Sequence, residues 1–311
     1  MAKQDAAELT VDRGVARPEK KDYQHQRRMV LYVRRFLRRP SAVAGVIILL
    51  ILTFFALFGS KLSKWNYVDL DFTALASPPS AEHWMGTTSG GSDLYAMVIR
   101  GLGRSMAIGF LSSVLTMILA ALIGTAISFF EGWFEKVGMW ILDMLLVIPS
   151  FLIVAMLVRS ASGTSGWLML VGGLTVLGWV GDARVIRTLT MSLRELDYVR
   201  AAKFMGVGSF TIIWRHLVPN LGSVLVINTV LGVVSSINSE TSLSFLGLGI
   251  KPPDTSLGTL LTEGGGVSVT APWVLIFPSL VLILLTFSVQ LIGDGIRDAI
   301  DPYSRSVGKA E

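Results

Sequence analysis

The sequence predicts an all-α polytopic membrane protein with six transmembrane helices, on the evidence of its composition and its long apolar blocks. Of the 311 residues, 52% are hydrophobic and 16% are charged, whereas an average soluble domain has about 25% charged residues. A helix that crosses a hydrocarbon core of about 30 Å needs roughly 20 mostly apolar residues, and several blocks approach that length. Such hydrophobicity excludes a disordered chain.

Residues 1–40 are predicted to form a cytoplasmic tail that ends in a helix lying in the membrane interface. In the segment 23–39, Met29, Val33 and Phe36 recur at helical spacing and six arginines are interleaved with them. This pattern is typical of an amphipathic helix whose arginines face anionic lipid. The alternative is a simple positively charged flank of the first span.

Six blocks satisfy, or nearly satisfy, the length of a membrane span. The first follows the polar residues 1–40 and lacks a cleavage pattern, so it is predicted to be a retained helix rather than a signal peptide. The fourth is short and rich in glycine. The predicted spans cover residues 41–60, 105–130, 137–158, 167–181, 221–237 and 273–292.

The distribution of basic residues predicts that both termini face the cytoplasm, because Lys and Arg accumulate in cytoplasmic loops. Residues 61–100 then form an external loop, 101–295 a unit of five helices and 296–311 a cytoplasmic tail. Most of the 27 basic residues fall on the cytoplasmic side. The external side holds Lys61, Lys64, Arg100, Arg104, Arg159 and Lys251.

The loop between the fourth and fifth spans, residues 192–220, is too long for a simple turn and is predicted to form a helical hairpin. A row of apolar residues at a spacing of three predicts its first helix. This row is Leu193, Leu196, Val199 and Ala202. The run Gly206-Val207-Gly208 breaks that helix, and Pro219 is expected to end a second one over 210–217. The small residues Ala201 and Ala202 would let another surface approach closely.

The hairpin carries a recognisable pattern. The run Tyr198-Val199-x-Ala201-Ala202-x-x-x-Gly206, followed by Ile213, His216, Leu217, Pro219 and Asn220, resembles the EAA loop of the membrane subunits of ATP-binding-cassette importers. Arg200 stands where that motif has Glu. Residues 83–87, 243–253 and 292–302 are similar to blocks of the C-type permease subunits of oligopeptide and dipeptide importers, so the resemblance covers roughly residues 30–303.

The resemblance implies the fold of a type I ABC importer transmembrane domain in a bacterial cytoplasmic membrane. It implies half of a translocation pathway for peptides and no catalysis by this chain. The implied partners are a homologous permease subunit, two cytoplasmic ABC ATPases, an extracytoplasmic peptide-binding protein and membrane lipid, with no nucleic acid. No cofactor is implied for this chain, because ATP and Mg²⁺ bind to the ATPases. The sequence agrees, since it lacks the G-x-x-x-x-G-K-[ST] phosphate loop.

By the same resemblance, the hairpin couples the chain to the ATPases. The residues expected to take part are Tyr198, Val199, Ala201, Ala202, Lys203, Gly206, Val207, Gly208, Leu217 and Pro219.

Two acidic residues within or beside spans are candidates for the substrate pathway, because ionisable groups in a membrane are costly and often functional. Asp143 lies inside the third predicted span, and Glu240 lies at the outer end of the fifth. In one interpretation, each residue contacts the cationic or amino end of a substrate. In the other, it forms an interhelical pair or hydrogen bond in the core of the subunit.

Two other functions remain open at this point. In the first, the architecture is the same and the transported solute is a nickel chelate or another small molecule rather than a peptide. A more distant alternative is an intramembrane serine protease, since the sequence Gly163-Thr164-Ser165-Gly166 matches G-x-S-G. That chemistry needs a histidine near the serine, and none of His25, His83 and His216 falls in a predicted span.

Overall fold

The computed structural model describes residues 28–159 and 166–300, and helices dominate both ranges. A short 3-10 turn, Gly59–Lys61, follows the second helix, and a π-helical turn, Ile213–Leu217, precedes the ninth. The helices are α1 Arg28–Leu37, α2 Pro40–Phe58, α3 Leu94–Phe129, α4 Trp133–Val147, α5 Ser150–Arg159, α6 Gly166–Arg194, α7 Asp197–Phe204, α8 Ser209–Ile212, α9 Val218–Phe245, α10 Leu257–Gly266 and α11 Trp273–Ile300.

The described helices provide five to six candidate membrane spans. Five are single helical stretches: α2 with its 3-10 turn, α3, α6, the continuous α8–α9 helix and α11. The sixth consists of α4 and α5 together, which meet at an angle of 74°. The expected continuous helix over 137–158 is therefore wrong. It breaks at Ile148, which has an extended ψ of 123°, because the ring of Pro149 disfavours a helical conformation in the residue before it.

Several helices run further than their apolar blocks. Helix α3 begins at Leu94, so the external loop predicted over 61–100 ends earlier, and α11 continues through residue 296 to Ile300. The carboxylate of Asp93 explains the early start of α3, since it accepts a hydrogen bond of 2.8 Å from the N–H of Ala96. Capping and tertiary contacts extend a helix into polar sequence that hydropathy alone does not assign.

Helix α3 lies at the centre of the bundle and packs against α2, α6, α9 and α10. Its buried residues Leu94 and Leu102 share one core cluster with Ile237 of α9 and Leu257 of α10. At the other end of α3, a Cβ on Gly124 would lie 2.5 Å from the carbonyl oxygen of Ala183. Only glycine permits such a close approach between α3 and α6.

Buried polar contacts tie the segment before α3 to the ends of the spans. His83 Nδ1 lies 2.9 Å from Asp93 Oδ2, and the indole N–H of Trp273 donates to the carbonyl of Thr87 at 3.0 Å. The carboxylate of Asp254 lies 2.7 Å from Nε of both Arg100 and Arg104. These residues come from α3, α11 and two loops, so the contacts form a compact polar layer at one end of the bundle.

Helix α1 lies against the opposite end of α11. Arg35 donates from Nη1 to the carbonyl of Ala299 at 3.3 Å, and the ring of Phe36 lies beside Gly295. The side chains of Val30, Val33 and Leu37 are exposed. Part of the predicted segment, residues 23–27, lies outside the described residues.

Candidate functional site

The hairpin between α6 and α9 turns at Gly206. Helix α7 ends in a Schellman arrangement, in which the N–H of Val207 bonds to the carbonyl of Ala202 and that of Gly206 to the carbonyl of Lys203, both at 3.1 Å. Gly206 has a φ of +75°, a left-handed conformation that glycine adopts without a steric penalty. The turn therefore lies where the glycine pattern of the sequence predicts it.

One side of the hairpin faces the bundle. Val199, Ala202 and Leu217 are buried, and they form a cluster with Ile212 and with Phe129 at the end of α3. These three predicted coupling residues pack against the bundle, and the surface that Ala202 contacts belongs to its own chain. Their part in coupling stays a prediction.

The opposite side of the hairpin is exposed. Tyr198, Ala201, Lys203, Gly206, Gly208 and Pro219, all predicted coupling residues, lie on this side, and Val207 is half-buried at the turn. Sequence reasoning missed two apolar residues at the tip, Phe204 and Met205, whose side chains are 91% and 75% exposed. Phe204 follows Ala202 by two positions, about 200° around the helix. This angle places Phe204 on the side of the helix opposite Ala202, and the sequence spacing could have shown it.

The helical row predicted from Leu193 to Ala202 is interrupted. Helix α6 continues to Arg194, and α7 begins at Asp197 after an extended residue, Leu196, with ψ 141°. Leu193 therefore belongs to the long helix and Val199 to the short one. Leu196, which lies between them at the break, is exposed, so the predicted row is not one continuous buried face.

Pro219 does not end the second helix of the hairpin, contrary to expectation. The chain is helical from Ser209 to Phe245, with the π-helical turn just before the proline. A wider turn relieves the clash of a proline ring with the preceding turn and tolerates its missing N–H. The side chain of Asn220 also donates to the carbonyl of His216 at 2.5 Å, next to the proline.

A cleft of about 500 Å³ lies beside α7. The ammonium group of Lys203 stands 5.8 Å from the ring centre of Phe129 in its wall. On its rim, Arg200 pairs with Glu195, and this pairing, chiefly the hydrogen bond from Arg200, lowers the pKa of the Glu195 carboxyl. The apolar wall and mixed charges suit contact with a protein surface.

A polar groove runs along α9. Two cavities, of about 630 and 170 Å³, share Ser150, Val154, Leu174, Ser235 and Ser239 in their walls and are therefore contiguous. The sequence carried a signal for this groove, because polar residues repeat on one face of an apolar helix. They are Asn228, Ser235, Ser239 and Ser242.

The two acidic candidates for the substrate pathway form interhelical contacts. Asp143 of α4 pairs with Arg184 of α6. Glu240 is fully buried and accepts hydrogen bonds from Ser256 at 2.6 Å and Ser244 at 2.8 Å. Both residues thus join elements of this chain. Glu240 does so in the core, whereas the side chains of Asp143 and Arg184 are 54% and 45% exposed.

The family comparison identifies the transport class. The model of the inner membrane component of binding-protein-dependent transport systems matches residues 113–306. The chain belongs to this family. A second model, for the N-terminal transmembrane domain of oligopeptide transport permease C, matches residues 28–79.

Relatives match over nearly the whole chain. An oligopeptide transport system permease protein of Mycobacterium tuberculosis is 45% identical over 280 residues, which are 90% of this chain and 96% of the relative. A glutathione transport system permease protein of Pectobacterium atrosepticum is 36% identical, covering 88% and 90%. An oligopeptide transport system permease protein of Escherichia coli is 34% identical, with the same coverage.

Family membership makes the chain a multi-pass inner membrane protein and the non-catalytic membrane component of a transport system with ATPase and binding-protein partners. ATP is bound by the ATPases rather than by this permease. This assignment replaces the protease alternative, whose candidate nucleophile Ser165 lies outside the described residues.

Proposed function

We propose that this chain forms one half of the pathway of an ATP-driven peptide importer. It pairs with a homologous permease subunit and works with two cytoplasmic ATPases and an external peptide-binding protein. The names of its relatives, which transport oligopeptides and glutathione, favour peptides over a nickel chelate or another small solute.

The exposed tip of the hairpin carries this proposal. Phe204, Met205 and Phe210 are all at least 73% exposed, although the hairpin's other side is well packed against α3. Large apolar side chains that project together are typical of a protein interface. We infer that a groove of an ATPase subunit covers this tip, so that closure of the ATPases on ATP displaces the hairpin and the helices behind it.

The proposed orientation places the hairpin and both termini in the cytoplasm. Helix α1 then lies at the inner membrane surface, with Val30, Val33 and Leu37 directed to acyl chains. Its arginines, including Arg34 and Arg38, are available to anionic headgroups. The polar layer around Asp254 is external in this orientation and presents the docking side for the binding protein.

Cross-linking from single cysteines tests this proposal, because the chain contains no cysteine. Ala201→Cys on the exposed side of α7 is expected to cross-link to an ATPase in native membranes. Ala81→Cys, exposed in the segment before α3, is the matched control. On intact cells, an impermeant thiol reagent is expected to label Ala81→Cys and not Ala201→Cys.

Uptake by the assembled complex with its binding protein tests the solute. We expect ATP-dependent uptake of a labelled tripeptide and none of a nickel chelate. Cross-linking of the ATPase to position 81 instead of position 201 would contradict the coupling role. Uptake of nickel without peptide would contradict the proposed substrate.

A further inference from the structure

The groove along α9 contains one charged residue among the described residues that line its two cavities, and that residue is Asp182 of α6. The remaining polar lining is neutral. It consists of Ser113, Thr116, Ser150, Asn228, Ser235, Ser236, Asn238, Ser239, Ser242 and Gln290. A solute in this groove therefore meets hydroxyl and amide groups along its length and a negative charge at one place.

Asp182 differs from the other carboxylates within the spans by lacking a partner. Asp143 is paired with Arg184, and Glu240 is bonded to serines and fully buried. No described residue forms an ion pair or hydrogen bond with Asp182, whose side chain is half-buried. An unpaired carboxylate in a membrane-embedded cavity is costly, so its position beside a groove favours a transient partner from the solute.

The position of Asp182 allows a solute to reach it. It lines the narrower cavity of about 170 Å³, which lies on the hairpin side of the wider one. The neighbouring amide of Asn228 and hydroxyl of Ser236 line the same cavity and are able to hold further polar atoms of the solute.

We propose that the Asp182 carboxylate receives the ammonium end of the transported solute and makes the groove prefer cationic over anionic groups. An ammonium group supplies three hydrogen-bond donors. Its positive charge is attracted to a carboxylate more strongly in a low-dielectric groove than in water. For a peptide, the group is its free amino terminus, and this part of the proposal rests on the proposed function.

Thiol labelling tests the charge preference without any assumption about the solute. Ser235→Cys, which lines both cavities, is introduced into the otherwise cysteine-free chain of the complex. It is labelled with a cationic trimethylammonium or an anionic sulfonate methanethiosulfonate. Adding Asp182→Asn is expected to lower the ratio of cationic to anionic labelling rates about tenfold, while Asp182→Glu preserves it. An unchanged ratio in Asp182→Asn would overturn the proposal.

Uptake tests the peptide part. The complex is given saturating binding protein loaded with a tripeptide or with the same tripeptide acetylated at its amino terminus. We expect Asp182→Asn to lose the preference for the free amine, and Asp143→Asn, outside the lining of both cavities, to keep it. A retained preference in Asp182→Asn contradicts the proposal.

A complex that shows the labelling effect but takes up neither peptide refutes the peptide substrate and supports the charge preference.

Discussion

At the scale of single residues, neighbouring residues of the same type have different roles in the hairpin. Gly206 has a φ of +75°, whereas Gly208 has a φ of −58° that any residue adopts. Ala202 is buried and Ala201 is exposed. Each pair therefore separates a residue that maintains the shape of the hairpin from one that lies on its outer surface.

We expect Gly206→Ala to weaken the hairpin by about 1 kcal/mol and to reduce ATP-dependent uptake in proteoliposomes while the chain remains in the membrane. The cost comes from the left-handed backbone, since a Cβ at this position would have open space around it. Gly208→Ala is the matched control and is expected to transport normally. Equal loss in both variants would show that flexibility, rather than the backbone angle, is required.

We expect Ala202→Asp to destabilise the hairpin by on the order of 3 kcal/mol, because it buries an unpaired charge, and to lower the thermal unfolding temperature of the purified complex. Ala201→Asp is expected to leave that temperature unchanged and to weaken co-purification of the ATPases. A variant pair with the two effects exchanged would contradict the assignment of the buried and exposed sides.

At the scale of elements, α3 connects the polar layer to the hairpin. Its 36 residues span about 54 Å, more than the hydrocarbon core of a bilayer. Near one end, Arg100 and Arg104 hold Asp254, and at the other end Phe129 supports the hairpin. A rigid helix with contacts at both ends is suited to move the two regions together.

Asp254→Asn is expected to destabilise the protein by about 1.5–3 kcal/mol, because it removes the buried charge that pairs with Arg100 and Arg104, whose side chains are 32% and 19% exposed. The side chain of Asp254 is 1% exposed. Glu195→Gln, which removes the exposed pair with Arg200, is the control and is expected to cost at most about 1 kcal/mol. Thermal unfolding of the two purified variants measures both effects, and similar shifts would contradict the burial argument.

At the scale of the whole molecule, packing is uneven. Helix α3 has buried residues along its whole length, whereas α4 has one, Leu142, among its described side chains. Large side chains of α4 and α5, including Trp133, Trp140 and Met156, are exposed. A region with so few buried contacts opens at a lower free energy than the core.

We expect amide hydrogens of α4 and α5 to exchange at least tenfold faster than those of α3 in the isolated chain in detergent, and to be protected on assembly of the complex. Hydrogen exchange read by mass spectrometry measures this difference. Uniform exchange across α3, α4 and α5 in the isolated chain would show that the bent pair is as stable as the core.

The sequence by itself determined the number of apolar blocks, the class of fold and the position of the hairpin turn. These features follow from local chemistry. A span requires an apolar run of about 20 residues, and Gly206 adopts a left-handed backbone conformation that is unfavourable for other residues. The permease resemblance was also carried by contiguous motifs, and the family comparison confirms it.

Only the tertiary structure decided which residues face inward and where helices end. It buried Ala202 but exposed Phe204, and it continued the helix through Pro219. It also paired Asp143 and left Asp182 facing the groove. These outcomes depend on contacts between residues far apart in the chain, and the free energy of such contacts overrides the weaker preferences of local sequence.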